Sequence, residues 1–323
     1  MTDPALSPSR LPRIDAARGI AVVAMVLYHL SWDLNHFGWV VLDLFSSPAW
    51  LAARAGILSA FLFLAGVSLV LSTRGGLDRR RFGRRWVLLA VAAGAITAVS
   101  LATFPDSPIL FGVLHHLAVG SLLGLAFLRL PAAVTALAGV AVLALPQWVG
   151  FPLFDNPWLS SLFDSPWLSW IGLVSHDPDA NDYVPLFPWF GVLLLGIAAA
   201  RVWGERAGGD APAPLVWLGR RSLPLYLIHQ PVLFGLLWGI TTAGLSPAGG
   251  EGERSFHASC VASCAQTGAD EAGCAHSCRC IAGGLKEHGL WQPVLQRTAS
   301  PEEMKRVMAV IRACRPESPS GAY

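Results

Sequence analysis

Seven apolar stretches in this sequence are close to the length that crosses a lipid bilayer. The hydrocarbon layer is about 30 Å thick, so a spanning helix needs roughly 20 apolar residues. Hydrophobic residues make up 54% of the chain and charged residues only 14%, which is unusual for a globular protein. The sequence therefore predicts an all-α fold, a polytopic transmembrane bundle of about seven helices. The stretches are residues 16–37, 50–72, 86–104, 111–130, 131–149, 184–202 and 215–241.

Composition divides the chain into three regions. Residues 1–12 contain Ser and Pro and are predicted to be a disordered N-terminus, and residues 13–245 form the membrane domain. The charged residues Arg13, Asp15 and Arg18 directly precede the first apolar stretch, and no small-residue cleavage site follows it. We therefore expect a retained first helix rather than a signal peptide. The composition changes at "SPAGGEGERS", and residues 246–323 are predicted to form a small polar tail rich in cysteine.

Arginines are distributed unevenly between the connections of the predicted helices. Fourteen lie on the side of the N-terminus, whereas the opposite connections hold only Arg54. Because cytoplasmic loops are enriched in Lys and Arg, the N-terminus is predicted to be cytoplasmic. With seven helices the tail then lies outside, which in a bacterium means a multi-pass inner-membrane protein with a periplasmic tail. The net charge of +2 gives no indication of nucleic-acid binding.

All six cysteines lie in the tail, in a C-x3-C motif followed by a C-x3-C-x-C motif. A spacing of four places each pair on one helix face, so two disulfides could join two short helices and leave Cys280 to reach Cys314. Sequence alone does not fix the pairing. An oxidising compartment favours disulfides over the alternative, a zinc site. The cysteines are Cys260, Cys264, Cys274, Cys278, Cys280 and Cys314.

The segment "SPEEMKRVMAVIRAC" predicts a further helix in the tail. Ser300 is expected to cap it and Glu303 to complete a capping box. Met304, Val307, Met308 and Ile311 form an apolar stripe that is expected to pack on the rest of the protein.

The connection 150–183 contains a short duplication, "FDNPWLS" and "FDSPWLS". Tryptophan at this density is typical of a bilayer interface. We expect an interfacial hairpin here, and a lid over an outward-facing site is the alternative.

The first apolar stretch carries ionisable residues along one helix face. Arg18 and His29 are eleven positions apart, which places them within about 20° of the same face. Asp33 follows one turn after His29, where it is expected to accept an imidazole N–H, and His36 lies on the same side. Ionisable groups at membrane depth are costly and are functional candidates, although His29 could instead only pin the bundle to a neighbouring carbonyl.

Other polar residues recur at the ends of later apolar stretches. Each is more typical of a structural role by itself, but the stretches together could form a shared polar chamber. These chamber candidates are His115, Asp182, Tyr183, Tyr226 and His229.

Several motifs in order resemble one known family. The segment "RIDAARGIAVVAMVLYH" is similar to the first helix of the transmembrane acyltransferase superfamily, in which an Arg is followed after ten residues by a His. The segments "FLFLAGVSL", "FGVLHHLAVGSLL", "DYVPLFPWFGVLLLG" and "GRRSLPLYLIHQPVLF" resemble the branch related to heparan-alpha-glucosaminide N-acetyltransferase, including its bacterial members. The likeness covers about residues 10–241. The chain differs from that enzyme in its smaller number of helices and in its Cys-rich tail. The resemblance therefore does not identify the acceptor substrate of this chain.

The resemblance implies transfer of an acyl group, expected to be acetyl, from cytoplasmic acetyl-CoA or another acyl-CoA to a hydroxyl or amine of a carbohydrate-like acceptor outside. His29, oriented by Asp33, is the expected general base and His36 the alternative, while a covalent acyl-histidine is a further route. Arginines at the cytoplasmic rim are expected to bind the CoA phosphates, although each could instead serve topology or contact lipid headgroups. These arginines are Arg13, Arg18, Arg84, Arg85, Arg220 and Arg221.

Two other classes of function compete with acyl transfer. A small transporter or flippase could use the same polar stripe without chemistry, but the segments show no inverted repeat. A haem protein could use pairs of histidines as ligands, and such a protein would be coloured. Apart from the haem and zinc alternatives no metal is predicted, and a homodimer is left open.

Overall fold

The computed structural model of the chain describes most of the sequence. The predictions for residues 1–10, for Arg206, which is one of the fourteen arginines counted on the side of the N-terminus, and for the boundary at 245/246 lie outside the described residues. The described residues are 11–37, 39–40, 42–44, 47–105, 107–154, 157–178, 180–203, 209–243, 251–265, 270–295 and 299–314.

The described part of the chain is helical, with thirteen α-helices and no strand. A short 3-10 helix, Ser169–Ile171, lies between the sixth and seventh α-helices. The helices are α1 Pro12–His36, α2 Pro48–Thr73, α3 Arg79–Thr103, α4 Val113–Phe127, α5 Ala132–Phe154, α6 Pro157–Phe163, α7 Leu186–Trp203, α8 Ala213–Arg220, α9 Ser222–Thr242, α10 Glu251–Ala265, α11 Glu271–Glu287, α12 Trp291–Leu295 and α13 Pro301–Ala313.

The predicted all-α membrane fold is confirmed. Every predicted apolar stretch lies largely in helical structure, and five helices (α1, α2, α3, α7 and α9) are long and apolar enough to cross a membrane. The apolar segments of α4 and α5, Val113–Phe127 and Ala132–Pro146, are shorter than these five helices. The stretch 215–241 was expected to be one helix and is instead divided between α8 and α9. The break has a local cause, because Pro224 has no N–H to donate to the preceding turn.

The chain divides into two compact units. The first contains residues up to Met25 and Ala52–Leu227. Its largest core lies along α7, where Leu193, Leu194 and Ile197 are almost completely buried.

Glycines allow the helices of this first unit to approach closely. A Cβ placed on Gly196 would overlap the carbonyl oxygen of Phe63 in α2, and a Cβ on Gly191 would overlap that of Gly139 in α5. Small residues at such contacts permit the backbone packing that holds helices together in lipid. Glycine at these positions therefore fixes α7 against its neighbours.

The connection between α5 and α7 also belongs to the first unit. Ser175 donates its backbone N–H and its hydroxyl to Asp164, at 2.7 and 2.6 Å, which closes the loop after α6. Trp158 and Trp167 are 69% and 86% exposed. Such exposure of large aromatic side chains suits the predicted interfacial hairpin, which stays a prediction.

The second unit contains Val26–Leu51 and Ile228–Tyr323. Its tail has all six cysteines in disulfides: Cys260–Cys278 and Cys264–Cys274 join α10 to α11, and Cys280–Cys314 joins α11 to the end of α13. The predicted disulfides are confirmed, including the pairing of the last two cysteines.

Helix α13 confirms one prediction and corrects another. Ser300 and Glu303 form the expected capping box, with N···O distances of 2.8 and 3.3 Å. Of the predicted apolar stripe, Val307 is buried and Ile311 packs against the core of the tail. Met304 and Met308 are 45% and 49% exposed because Val310, rather than the methionines, completes the buried face.

Candidate functional site

The three predicted catalytic residues, His29, Asp33 and His36, all lie in the part of helix α1 that belongs to the second unit. The imidazole of His29 lies edge to face against His229 of α9, with ring centroids 4.9 Å apart. A membrane-spanning helix satisfies its backbone polar groups by its own hydrogen bonds. The nitrogens of these two rings are therefore additional polar groups in an otherwise apolar segment. The structure thus brings together His29 and one predicted chamber residue, His229.

Asp33 bonds to a different partner from the one predicted. Its side chain is completely buried, and its Oδ1 accepts a hydrogen bond of 2.7 Å from Nε2 of Gln230 in α9. Its Oδ2 accepts none from the described residues. The expected hydrogen bond from His29 to Asp33 is therefore absent, because the ring of His29 turns toward His229 while Gln230 reaches the carboxylate.

His36, the alternative base, ends α1 in aromatic surroundings. Its ring stacks on Trp32 at 5.0 Å with an interplanar angle of 11°, and it also contacts Phe37 and Phe234. Stacking on aromatic faces holds the imidazole in one orientation.

In the first unit an arginine cluster surrounds one carboxylate. Asp15 accepts from Arg18 through Oδ1 and from Arg220 through Oδ2, both at 3.1 Å. Arg18 also donates to the hydroxyl of Ser68 in α2. Arg85 is close enough to Arg18 for their two positive charges to interact. One carboxylate therefore organises several cations, and an excess of positive charge remains for an anionic ligand.

The other predicted CoA-binding arginines have less constrained surroundings. The guanidinium of Arg13 lies against Gly209, and Arg84 is exposed, as is Arg85. Arg221 lies 4.5 Å above the ring of Trp217, a cation–π contact that holds it next to Arg220.

Two predicted chamber residues instead cap the start of α4. The Nδ1 atom of His115 accepts from the backbone N–H of Gly112 at 3.2 Å, and its Nε2 lies 3.1 Å from the hydroxyl of Thr97. Asp182 accepts from the backbone N–H of Val113 at 3.0 Å. The first turn of a helix leaves N–H groups without partners, and these side chains satisfy two of them.

Burial raises the pKa of Asp182, although the bond from Val113 and the nearby charge of Arg54 oppose that shift. His115 and Asp182 thus have structural hydrogen-bond partners at the start of α4, and their place in a polar chamber stays a prediction.

The two predicted chamber tyrosines also have partners in the first unit. Tyr183 donates its hydroxyl to the carbonyl of Ser169 at 2.6 Å, and burial raises its pKa, with the charges of Asp177 and Asp164 acting in the same direction. Tyr226 packs beside the core cluster that contains Leu114. Tyr183 therefore ties the connection before α7 to the 3-10 helix, and its place in a polar chamber stays a prediction.

Four polar residues that organise these sites were not among the predicted site residues. Asp15 and Ser68 position Arg18, and Gln230 binds Asp33. His116 is completely buried, with Nδ1 3.2 Å from two backbone carbonyls that precede α7. The position of Gln230 directly after His229 was a usable signal, because both lie at the same depth of one helix.

Comparison with known proteins gives one match. The family model described as "Heparan-alpha-glucosaminide N-acetyltransferase, catalytic" matches residues 10–231, most of the chain. No curated protein and no solved structure matches the sequence. The match spans the arginine cluster and the residues around His29. On this ground the chain belongs to the heparan-alpha-glucosaminide N-acetyltransferase catalytic family, a family of membrane acyltransferases.

Proposed function

We propose that this protein moves an acyl group, in the first place acetyl, from cytoplasmic acyl-CoA to a hydroxyl or amino group of a sugar-like acceptor on the outer side of the membrane. Family membership supports the reaction type and a sugar acceptor. The observation that carries the proposal is the position of His29 in a membrane-spanning helix, against His229 and one turn before the Asp33–Gln230 pair. Ionisable groups at such depth are costly and are typically retained for function.

His29 serves as the general base in this proposal. The acceptor oxygen or nitrogen forms a bond to the thioester carbonyl carbon, the carbon–sulfur bond breaks, and CoA leaves as the thiolate. An imidazole nitrogen takes the proton from the acceptor and can return it to the thiolate. His229 contributes the neighbouring imidazole ring, and His36 is the alternative base.

The arginine cluster around Asp15 serves as the donor-binding region. Arg18 and Arg220 are held by one carboxylate, and the side chain of Arg220 is still 42% exposed. Guanidinium groups bind phosphate oxygens in a bidentate manner, so preorganised arginines suit the phosphates of CoA. Arg18 and His29 both lie in helix α1.

The proposed direction of transfer rests on the distribution of arginines in the sequence. The cytoplasmic side is assigned to the arginine-rich connections, so CoA is taken from the compartment in which it is made. The disulfide-bonded tail is assigned to the opposite side, because disulfides persist in oxidising compartments.

The decisive experiment measures release of CoA thiol from acetyl-CoA by the purified protein, with glucosamine and glucose as acceptors. Thiol release that depends on the acceptor is expected from wild-type protein and not from the His29→Ala variant. A transporter would move the acceptor across a proteoliposome membrane without thiol release, and that result would replace the present proposal.

A further inference from the structure

The Asp33–Gln230 pair leaves two buried oxygens that the pair itself does not use. Nε2 of Gln230 donates to Oδ1 of Asp33. Asp33 Oδ2 and Gln230 Oε1 are buried, and neither accepts a hydrogen bond from the residues that the structure describes. Both belong to the second unit, as do His29 and His229.

Orphan acceptors of this kind need an explanation. Most buried polar atoms in proteins have a hydrogen-bond partner, and an unpaired one loses its interaction with water without compensation. A polar pair that only pinned α1 to α9 would need the single Gln230–Asp33 bond. That bond accounts for one oxygen of Asp33 and none of Gln230.

The chemistry of the two atoms defines what would satisfy them. A carboxylate oxygen and a carboxamide oxygen accept hydrogen bonds and cannot donate them. Each is therefore matched by an N–H or O–H group. Asp33 follows His29 by four residues, a rise of about 6 Å along the helix.

We propose that Asp33 and Gln230 form the subsite that holds the acceptor, by accepting hydrogen bonds from an N–H or O–H group of the same molecule other than the one that reacts. This inference rests on the proposed function, in which His29 takes the proton from the reacting group. The acceptor then carries at least two polar groups about one helical turn apart, as a polyol or an amino polyol does.

The Asp33→Asn variant tests this subsite without breaking the bond between the helices. An asparagine and a glutamine can still form one N–H···O bond, which uses one donor and one acceptor. In either orientation of the two amides, the atoms outside this bond are one amide nitrogen, a donor, and one amide oxygen, an acceptor. The native pair instead leaves two oxygens, both acceptors. A donor then faces the donor of the substrate.

The double variant Asp33→Asn/Gln230→Glu restores the native pattern with the two side-chain types exchanged. The amide introduced on α1 can donate an N–H to the carboxylate introduced on α9, and the two oxygens left over are again both acceptors. We expect the single variant to raise the KM for glucosamine and glucose about ten- to a hundredfold, with the KM for acetyl-CoA unchanged. The double variant should recover most of the loss.

Thr241→Val is the matched structural control. The indole N–H of Trp39 lies 3.4 Å from the hydroxyl of Thr241, a second polar contact between the α1 end and α9. Loss of that contact should lower thermal stability without changing the KM for either acceptor. If Asp33→Asn behaves like Thr241→Val, or if the exchanged pair folds and does not recover, the inference is overturned.

Binding measured without turnover separates this inference from the proposed function. Glucosamine and glucose should raise the Tm of purified wild-type protein and of the double variant, but not of Asp33→Asn. If wild-type protein shows this pattern and releases no CoA, the acceptor subsite stands and the acyl-transfer proposal fails. If neither sugar affects wild-type Tm, the subsite proposal fails.

Discussion

Gly219 of α8 lies directly against the backbone of Asp15 in α1, so closely that a Cβ at position 219 would overlap the Asp15 carbonyl oxygen. The next residue, Arg220, bonds the carboxylate of Asp15 at 3.1 Å. The absence of a side chain at Gly219 therefore allows α8 to lie close enough to α1 for Arg220 to reach Asp15.

The Gly219→Ala variant should weaken acyl-CoA binding. The added methyl group must push α8 away from α1, and the bond between Arg220 and Asp15 lengthens as a result. Isothermal titration with CoA should show a loss of about tenfold, because charge-assisted hydrogen bonds depend strongly on distance and alignment. Gly235→Ala in α9 is the control, since a Cβ there has no neighbouring atom within 4 Å. Equal CoA affinity in both variants would contradict the role of the α1–α8 contact.

Removal of the proposed base should slow turnover strongly without unfolding the protein. His29→Ala is expected to lower the acyl-transfer rate about 10²- to 10⁴-fold, as is typical for loss of a general base. His36→Ala is the comparison, because His36 stacks on Trp32 at the end of the same helix. Size-exclusion profiles of both variants report on folding. A near-normal rate in His29→Ala combined with an inactive His36→Ala would transfer the role to His36.

The helices and the disulfides could be predicted because both follow from local patterns in the sequence. Apolar length predicts a helix in lipid, and a spacing of four places Cys260 and Cys264 on one face. The partner of Asp33 could not be predicted in this way, because Gln230 is 197 residues away and the spacing to His29 offered a nearer candidate. The role of Asp182 was missed for the same reason, since its partner Val113 is 69 residues away.

Arg18→Ala should weaken CoA binding most strongly at low ionic strength. Screening by salt shortens the reach of charge interactions, so the difference in affinity from wild type should grow as salt is lowered from about 0.5 M to 0.05 M. Arg129→Ala, which changes an exposed arginine in the turn after α4, is the matched control. Titrations of both variants at several salt concentrations measure this. Unchanged CoA affinity at low salt would leave Arg18 as a topology determinant.

Asp182 should influence stability through helix capping and through its ionisation. Asp182→Ala removes the acceptor for Val113 N–H, and loss of a capping interaction costs about 1 kcal/mol. Asp182→Asn keeps an acceptor but cannot ionise. Because burial raises the pKa of Asp182, the contribution of the native residue is greatest below the ordinary carboxyl pKa and declines as pH rises through the raised value.

The Tm of wild-type protein relative to Asp182→Asn should therefore fall as the pH is raised from about 4 toward neutrality. Thermal unfolding of the two detergent-solubilised proteins at matched pH values measures this difference. A difference that is constant with pH would show that Asp182 does not titrate in this range.

The disulfides of the tail should matter for the tail and little for acyl transfer. Cys280–Cys314 ties the end of α13 to α11, and the core around Leu285 and Val310 is small. A disulfide contributes about 2–4 kcal/mol, chiefly by limiting the unfolded chain, so a small core depends on it. The double variant Cys280→Ser/Cys314→Ser should make α13 sensitive to protease while CoA release with glucosamine stays near that of wild type.

Alkylation of intact cells without reduction, followed by mass spectrometry, tests whether the disulfides form in the native protein. The expected result is no label on any of the six cysteines. Label on all six would contradict both the disulfides and the placement of the tail outside the cytoplasm.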